Sequence, residues 1–237
     1  MTAIVSIARF IASWKSAPFT HLAEVEPWHL TTQAPSVVRA LLAQLSADAF
    51  DIRAEVAVHR TATVEPGAVL KGPLILGAGC FVAAGAYLRG GNWVDDGCTL
   101  GPGTELKSSF VFEGSRLGHF SFVGDSILGA DVNLEAGSIV CNHRNERADK
   151  EIRVRVHGLL QRTGALKFGA VIGDGSRIGA NAVLAPGTLL MPHSVVARAA
   201  SLDQESDESS SSESGGAGGA YRPGNVKGVG NAGTSQT

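Results

Sequence analysis

An aliphatic residue stands at every sixth position through most of this chain: Val58, Val64, Leu70, Leu76, Val82, Leu88, Val94, Leu100 and Leu106, and again Ile172, Ile178, Leu184, Leu190 and Val196. A step of six is neither the ~3.6 of a helix nor the ~2 of a flat strand, so the unit is a short strand plus a corner, stacked on copies of itself. Such a solenoid has an interior just wide enough for one side chain per repeat. Chemistry must therefore sit on its outside.

The ladder continues through Val111, Leu117, Val123, Leu128, Leu134 and Val140, with two steps of five after Leu106 and after Val123. It stops at a polar excursion over 142–165 that holds Arg144, Arg147, Lys150, Arg153, Arg155 and Arg162, and Leu166 is expected to resume it. Counting Leu166, 21 repeats run from Val58 to Val196. Three short strands close one triangular turn, so the coil has about seven turns and stands ~34 Å tall at ~4.8 Å per layer. Gly, Asn and Asp at the corners, as in Leu76-Gly77-Ala78-Gly79, tolerate the positive φ that tight turns need.

Three segments follow. Residues 1–50 are expected to be a short helical lead-in: an amphipathic surface helix over Met1–Phe19, then a helix over Ser36–Leu45 behind Pro35 that turns Val38, Leu41, Leu42 and Leu45 to one face. Residues 51–198 form the β-helix, and 199–237 are expected to be a disordered tail, because Ser-, Asp-, Glu- and Gly-rich sequence has little to bury against its ordering entropy. A formal charge of -2 argues against a general polyanion or nucleic-acid binder, and no apolar run of membrane-spanning length occurs. Cys80, Cys98 and Cys141 are too scattered for a disulfide framework or paired zinc ligands, which is the simplest pattern for the cytoplasm.

Stacking arithmetic then makes neighbours of residues at the same place three repeats apart. Arg89 follows Leu88 and Lys107 follows Leu106, so two cations are expected ~5 Å apart on one side, either as plain surface charge or around an anion. His119, third in its repeat, falls beneath Ala136, third in a repeat one turn on. An imidazole that takes a proton near neutral pH, beside a backbone N–H that can steady an oxyanion, is the minimum equipment for acyl transfer; a packing or solvated histidine is the alternative. Asp125 is read as a turn-stabilising carboxylate or a second acid. The Gly-x-Gly pairs all lie in corners, which excludes a Rossmann or P-loop reading. His119, His143, His157 and His193 do not recreate a metal triad, so no metal is expected.

Gly118-His119-Phe120-Ser121-Phe122-Val123-Gly124-Asp125, with Asp131-Val132-Asn133-Leu134-Glu135-Ala136-Gly137-Ser138 through Asn142, resembles the C-terminal acetyltransferase domain of the bifunctional glucosamine-1-phosphate acetyltransferase / N-acetylglucosamine-1-phosphate uridylyltransferase family. The run Gly164-Ala165-Leu166-Lys167-Phe168-Gly169 after the long loop is similar to its archaeal-type members. The resemblance covers roughly residues 55–198, and no nucleotidyltransferase domain is expected within this sequence. It implies a left-handed β-helix, a homotrimer with sites between neighbouring coils, and transfer of an acetyl group from acetyl-CoA to the amine of an amino-sugar phosphate. His119 then matches the general base and Ala136 the oxyanion amide. Arg89, Lys107, Phe122, Asn133, Asn142 and Lys167 match sugar-phosphate contacts. Ala136, Asn142, His143, Ala180 and Arg198 match the acetyl-CoA side. Phe122 replaces a usual Tyr, Glu135 a common Gly and His143 a frequent aromatic. A non-catalytic sugar-phosphate-binding or trimerising module is the alternative function, and a hexapeptide carbonic anhydrase a third.

Overall fold

The computed structural model describes residues 5–22 and 24–206. Three parallel sheets, each contributing seven strands, wind into a triangular prism of seven coils. Side I carries Val56–His59, Leu74–Leu76, Asn92–Val94, Phe110–Val111, Ile127–Leu128, Ala170–Ile172 and Thr188–Leu190. Side II carries Thr63–Val64, Phe81–Val82, Thr99–Leu100, Arg116–Leu117, Asn133–Leu134, Arg177–Ile178 and Val195–Val196. Side III carries Val69–Leu70, Tyr87–Arg89, Glu105–Lys107, Phe122–Gly124, Ile139–Val140, Val183–Leu184 and Ser201–Leu202. The six-step residues stack in register up the interior, as in Leu70, Leu88, Leu106, Val123, Val140, Leu184 and Leu202 on side III. Full burial of each stabilises by ~1.5–3 kcal/mol, and only stacking provides it.

Both steps of five fall at the corner from side III to side I, where side chains take over backbone bonding. The buried Asn92 accepts from the Ser109 N–H (3.0 Å), the Ser109 hydroxyl accepts from the Ser126 N–H (3.1 Å), and the Ser126 hydroxyl accepts from the Ala170 N–H (3.1 Å). In the two shortened corners a serine hydroxyl thus accepts the backbone N–H of the next coil.

Leu166 departs from expectation. It is 59% exposed and belongs to the end of the excursion, while the chain rejoins side I at Ala170–Ile172. The last rung is instead Leu202, whose strand pairs with Val183–Leu184. The tail boundary moves with it: residues 199–206 complete coil 7, and the remainder of the expected tail lies outside the described residues. Acidic residues hold this end. Asp203 and Glu205 meet Arg144, Arg147 and Arg153 of the excursion, so the basic loop is neutralised within the chain. The excursion itself closes on a hairpin, Arg153–Val156 with Leu159–Arg162.

The lead-in segment is a second core. Instead of a helix over the first residues there are short 3-10 turns at Ile7–Arg9, Ala12–Ser16 and Thr20–Leu22. Packing against the sheet overrides the helical spacing of this stretch, and Ile7, Ile11, Trp14 and Phe19 are buried. The helices Pro27–Thr32 and Ala34–Leu42 follow, the latter burying Val38 and Leu41. All pack on the outer surface of side I, against Ile75, Trp93, Phe110, Phe112, Ile127 and Val171. Phe19 sits 5.0 Å from both the Trp93 and Phe110 rings. The lead-in therefore covers much of side I, and sides II and III remain open.

Candidate functional site

The corner between sides II and III in coil 4 carries His119. Gly118, just before it, lies against coil 5 so tightly that a Cβ there would come 2.7 Å from the Leu134 carbonyl oxygen and 3.1 Å from the Ala136 nitrogen. His119 accepts a hydrogen bond at its carbonyl from the Gly137 N–H (2.8 Å), which locks the two corners together. The stacking of His119 beneath Ala136 follows from the register of Arg116–Leu117 on Asn133–Leu134. Both residues are exposed, and among the described residues neither the His119 ring nor the Ala136 N–H has a hydrogen-bond partner. Two equivalent N–H groups in this corner are capped by a carboxylate: that of Ala84 donates to Glu65 and that of Ala180 to Glu135 (both 2.8 Å). A free donor beside a free imidazole is what acyl transfer needs.

Above Ala136 in the same corner stand Ala180 and Arg198. Glu135 ties three coils together there, accepting from the Ala180 N–H and from Arg198 Nε (2.7 Å) and Nη2 (2.8 Å). The Arg198 guanidinium and then the Ala180 N–H hold its carboxyl down at about 2, so it is ionised throughout the physiological range.

The outer surface of side III runs from this corner to the far edge of the sheet. Arg89 and Lys107 stack there in register as expected, but each is already paired. Arg89 reaches up to Glu105, with Nη2 2.6 Å from Oε1. Lys107 donates to both oxygens of Asp125 at 2.7 Å, and Asn142 Nδ2 donates to the same carboxylate. The Lys107 and Asp125 side chains are only 16% and 7% exposed, so this pair belongs to the framework of the corner. Asp125 adopts φ 47, the left-handed turn conformation expected of it.

Phe122 lies between the two edges of side III, half-buried. Asn142 and Phe122 both pack over Gly124, where a Cβ would lie 2.6 Å from Asn142 Nδ2 and 2.9 Å from Phe122 Cζ. The excursion leaves and returns beside them: Phe168 N–H donates to the Asn142 carbonyl (3.0 Å) and His143 Nδ1 lies 3.0 Å from the Leu166 carbonyl oxygen, which leaves Lys167 exposed between. Asn133 stands apart, on side II between Arg116 and Arg177.

The structure thus gathers the expected residues into two columns joined by one surface. His119, Ala136, Ala180 and Arg198 form the near corner; Arg89, Lys107, Asn142, His143 and Lys167 form the far edge; Phe122 lies between. The sequence reading missed Glu105, and it read Asp125 without its pairing to Lys107. It also missed Lys71, which the same stacking rule puts beneath Arg89, with the Lys71 N–H donating to the Leu88 carbonyl (2.9 Å). A cavity of about 260 Å³ lies elsewhere, between the lead-in and side I near Asp95 and Trp93. Among the described residues no cluster of three His, Cys, Asp or Glu side chains is placed to hold a metal ion, and no helix is long and apolar enough to cross a membrane.

No family model matches the chain. It is 31% identical over 140 residues to a bifunctional sugar-1-phosphate nucleotidylyltransferase/acetyltransferase of Sulfurisphaera tokodaii, covering 59% of this chain and 34% of that protein. It is 36% identical over 110 residues to the bifunctional protein GlmU of Desulfitobacterium hafniense, covering 46% of this chain and 24% of the relative. A hexapeptide transferase family protein of Anaplasma phagocytophilum aligns at 18% identity and a TM-score of 0.41, over 60% of this chain and 73% of that one. The chain spans about a third or less of the length of the curated relatives it matches. The likeness first carried by the residues around His119 and Asn142 is thus a sequence similarity, over about half of the chain, to bifunctional sugar-1-phosphate nucleotidylyltransferase/acetyltransferases.

Proposed function

We propose that this chain transfers an acetyl group from acetyl-CoA to the amine of an amino-sugar phosphate, the class that includes glucosamine 1-phosphate, as a cytoplasmic enzyme. The observation that carries this reading is the pairing, in consecutive coils of one open corner, of an imidazole and a backbone N–H that both lack partners among the described residues. The amine nitrogen attacks the thioester carbonyl to form the C–N bond of a tetrahedral oxyanion, the amine proton passes to His119, and collapse of the oxyanion breaks the C–S bond. The Ala136 N–H steadies the oxyanion in between, and the thiolate of coenzyme A leaves and is protonated. Arg89, whose Nη1 has no partner among the described residues, anchors the phosphate of the acceptor from side III. The corner is open to solvent on one chain, and Asn133 faces outward on side II while Phe122 faces outward on side III. A homotrimer that sets side II of one copy against side III of the next would close the groove.

The test is thiol release from acetyl-CoA with a panel of amino-sugar phosphates. Wild-type turnover that falls ~10²–10⁴-fold in His119→Ala, the usual contribution of a general base, supports the reading. One observation favours a second reading, a non-catalytic sugar-phosphate-binding module: Glu135 occupies both the Ala180 N–H and Arg198, the two groups the resemblance gives to acetyl-CoA. Binding of the sugar phosphate with no thiol release from any acceptor would decide for the module.

A further inference from the structure

The basic edge of side III is longer than the pair Arg89 and Lys107. Lys71, Arg89 and Lys107 stand on coils 1, 2 and 3 in one register column, and each side chain leans one coil toward His119. Lys71 places its ammonium 5.0 Å from the Tyr87 ring centre, on coil 2. Arg89 meets Glu105 on coil 3, and Lys107 meets Asp125 on coil 4. The three cationic heads therefore lie at the heights of coils 2, 3 and 4, and coil 4 is the layer of His119.

They differ in what they have left to give. Lys107 spends its charge on a buried carboxylate that also takes the Asn142 amide. Arg89 gives Nε and Nη2 to a single oxygen of Glu105 and keeps Nη1. Lys71 is exposed and has no carboxylate partner among the described residues; the π face of Tyr87 is its one neighbour of note. Two cationic heads one layer apart, ~4.8 Å, are thus available below the reaction layer. In a 2-amino sugar 1-phosphate the amine and phosphate sit on adjacent ring carbons, so such a sugar lying over Phe122 beside His119 brings its own phosphate to Arg89 and no further. The Lys71 ammonium waits one layer beyond, where it can meet the oxygens of a second phosphoryl group joined to the first. A threefold axis parallel to the coils would leave these heights unchanged.

We infer that Lys71 is a second anion-binding residue, and that the acceptor is an amino sugar carried on a diphosphate, held by Arg89 at the first phosphate and Lys71 at the second. The inference rests on the acetyl-transfer reading for its substrate, but the anion subsite is testable without turnover. Titration calorimetry on the full chain with inorganic phosphate and with pyrophosphate is expected to show pyrophosphate binding about tenfold tighter, the worth of one added charge-assisted contact. Lys71→Met should abolish that preference and leave phosphate affinity unchanged, Arg89→Met should weaken both anions, and Lys15→Met, at an exposed cation of the lead-in segment, should alter neither. Equal affinity for the two anions, or a pyrophosphate preference that survives Lys71→Met, overturns the inference. Should the anion results hold while no amino-sugar acceptor releases thiol, acetyl transfer fails and the diphosphate subsite stands. Should thiol release occur with sugar 1-phosphates but not with diphosphate-linked amino sugars, the subsite assignment fails and acetyl transfer stands.

Discussion

The pair Lys107–Asp125 gives the most direct check on whether the basic edge is framework or ligand site. Its two side chains are 16% and 7% exposed, joined by two contacts of 2.7 Å, with Asn142 on the same carboxylate. Removing one partner of a buried pair leaves the other charge uncompensated, at a cost of about 3–5 kcal/mol. The right substitutions are Asp125→Asn, which keeps a side chain that tolerates the left-handed φ of 47, and Lys107→Met, which keeps the stem that packs along the sheet. Each single variant is expected to lose about 3 kcal/mol. The double variant buries no lone charge, so it should lose less than the sum, with a coupling of about 2–3 kcal/mol. With a urea m-value of about 2 kcal/mol/M, each single change moves the unfolding midpoint down by about 1.5 M, readable by far-UV circular dichroism. Single variants that cost under about 1 kcal/mol and add without coupling would refute the framework role. Lys107 would then be free to serve a ligand, and the acceptor affinity of Lys107→Met would fall instead.

Two further outcomes follow from the same physics. Burial, with Glu113 and Asp96 close by, pushes the Asp95 carboxyl up to about 6. A raised folded-state value favours the fold below the unfolded value near 4 and loses that contribution as pH climbs through about 6, so Asp95→Asn should raise the melting temperature at pH 8 and not at pH 4; a gain of equal size at both pH values would contradict this. Arg144, with its side chain 4% exposed, holds Asp203 at 2.6 and 2.8 Å and the Pro186 carbonyl at 3.0 Å. Arg144→Met should strip hydrogen-exchange protection from residues 199–206 and from Thr188–Leu190 while coils 1–4 keep theirs, because a solenoid frays from its end; protection unchanged at coil 7 would show that the arginine clamp is dispensable.

The sequence carried the prism because its code is local and periodic. One aliphatic residue per six, with small or turn-forming residues between, has a single way to bury itself, and Val58 through Val140 and Ile172 through Val196 took the positions counted for them. The same count put His119 under Ala136 and Arg89 under Lys107, since register in a parallel stack is a matter of counting. Leu166 was misplaced because a six-step match is weak evidence next to a loop, where the chain owes its path to Arg144, Arg147 and Arg153 meeting Asp203 and Glu205 some 50–60 residues away.

What the tertiary structure decided lies outside the period. The strands of side I read as near-continuous apolar runs, Leu74-Ile75-Leu76 and Ala170-Val171-Ile172 among them, which is the pattern of a sheet buried on both faces. That signal was legible, but which segment covers the sheet depended on how Trp14, Phe19 and Trp28 pack, and no local pattern states it. The chemistry of the cations was likewise a three-dimensional matter. Counting places Lys71, Arg89 and Lys107 one above another, whereas whether each keeps a free donor is set by Tyr87, Glu105 and Asp125 across the layers. A repeat fixes where a side chain starts, and its neighbours in the next coil fix what that side chain has left to bind.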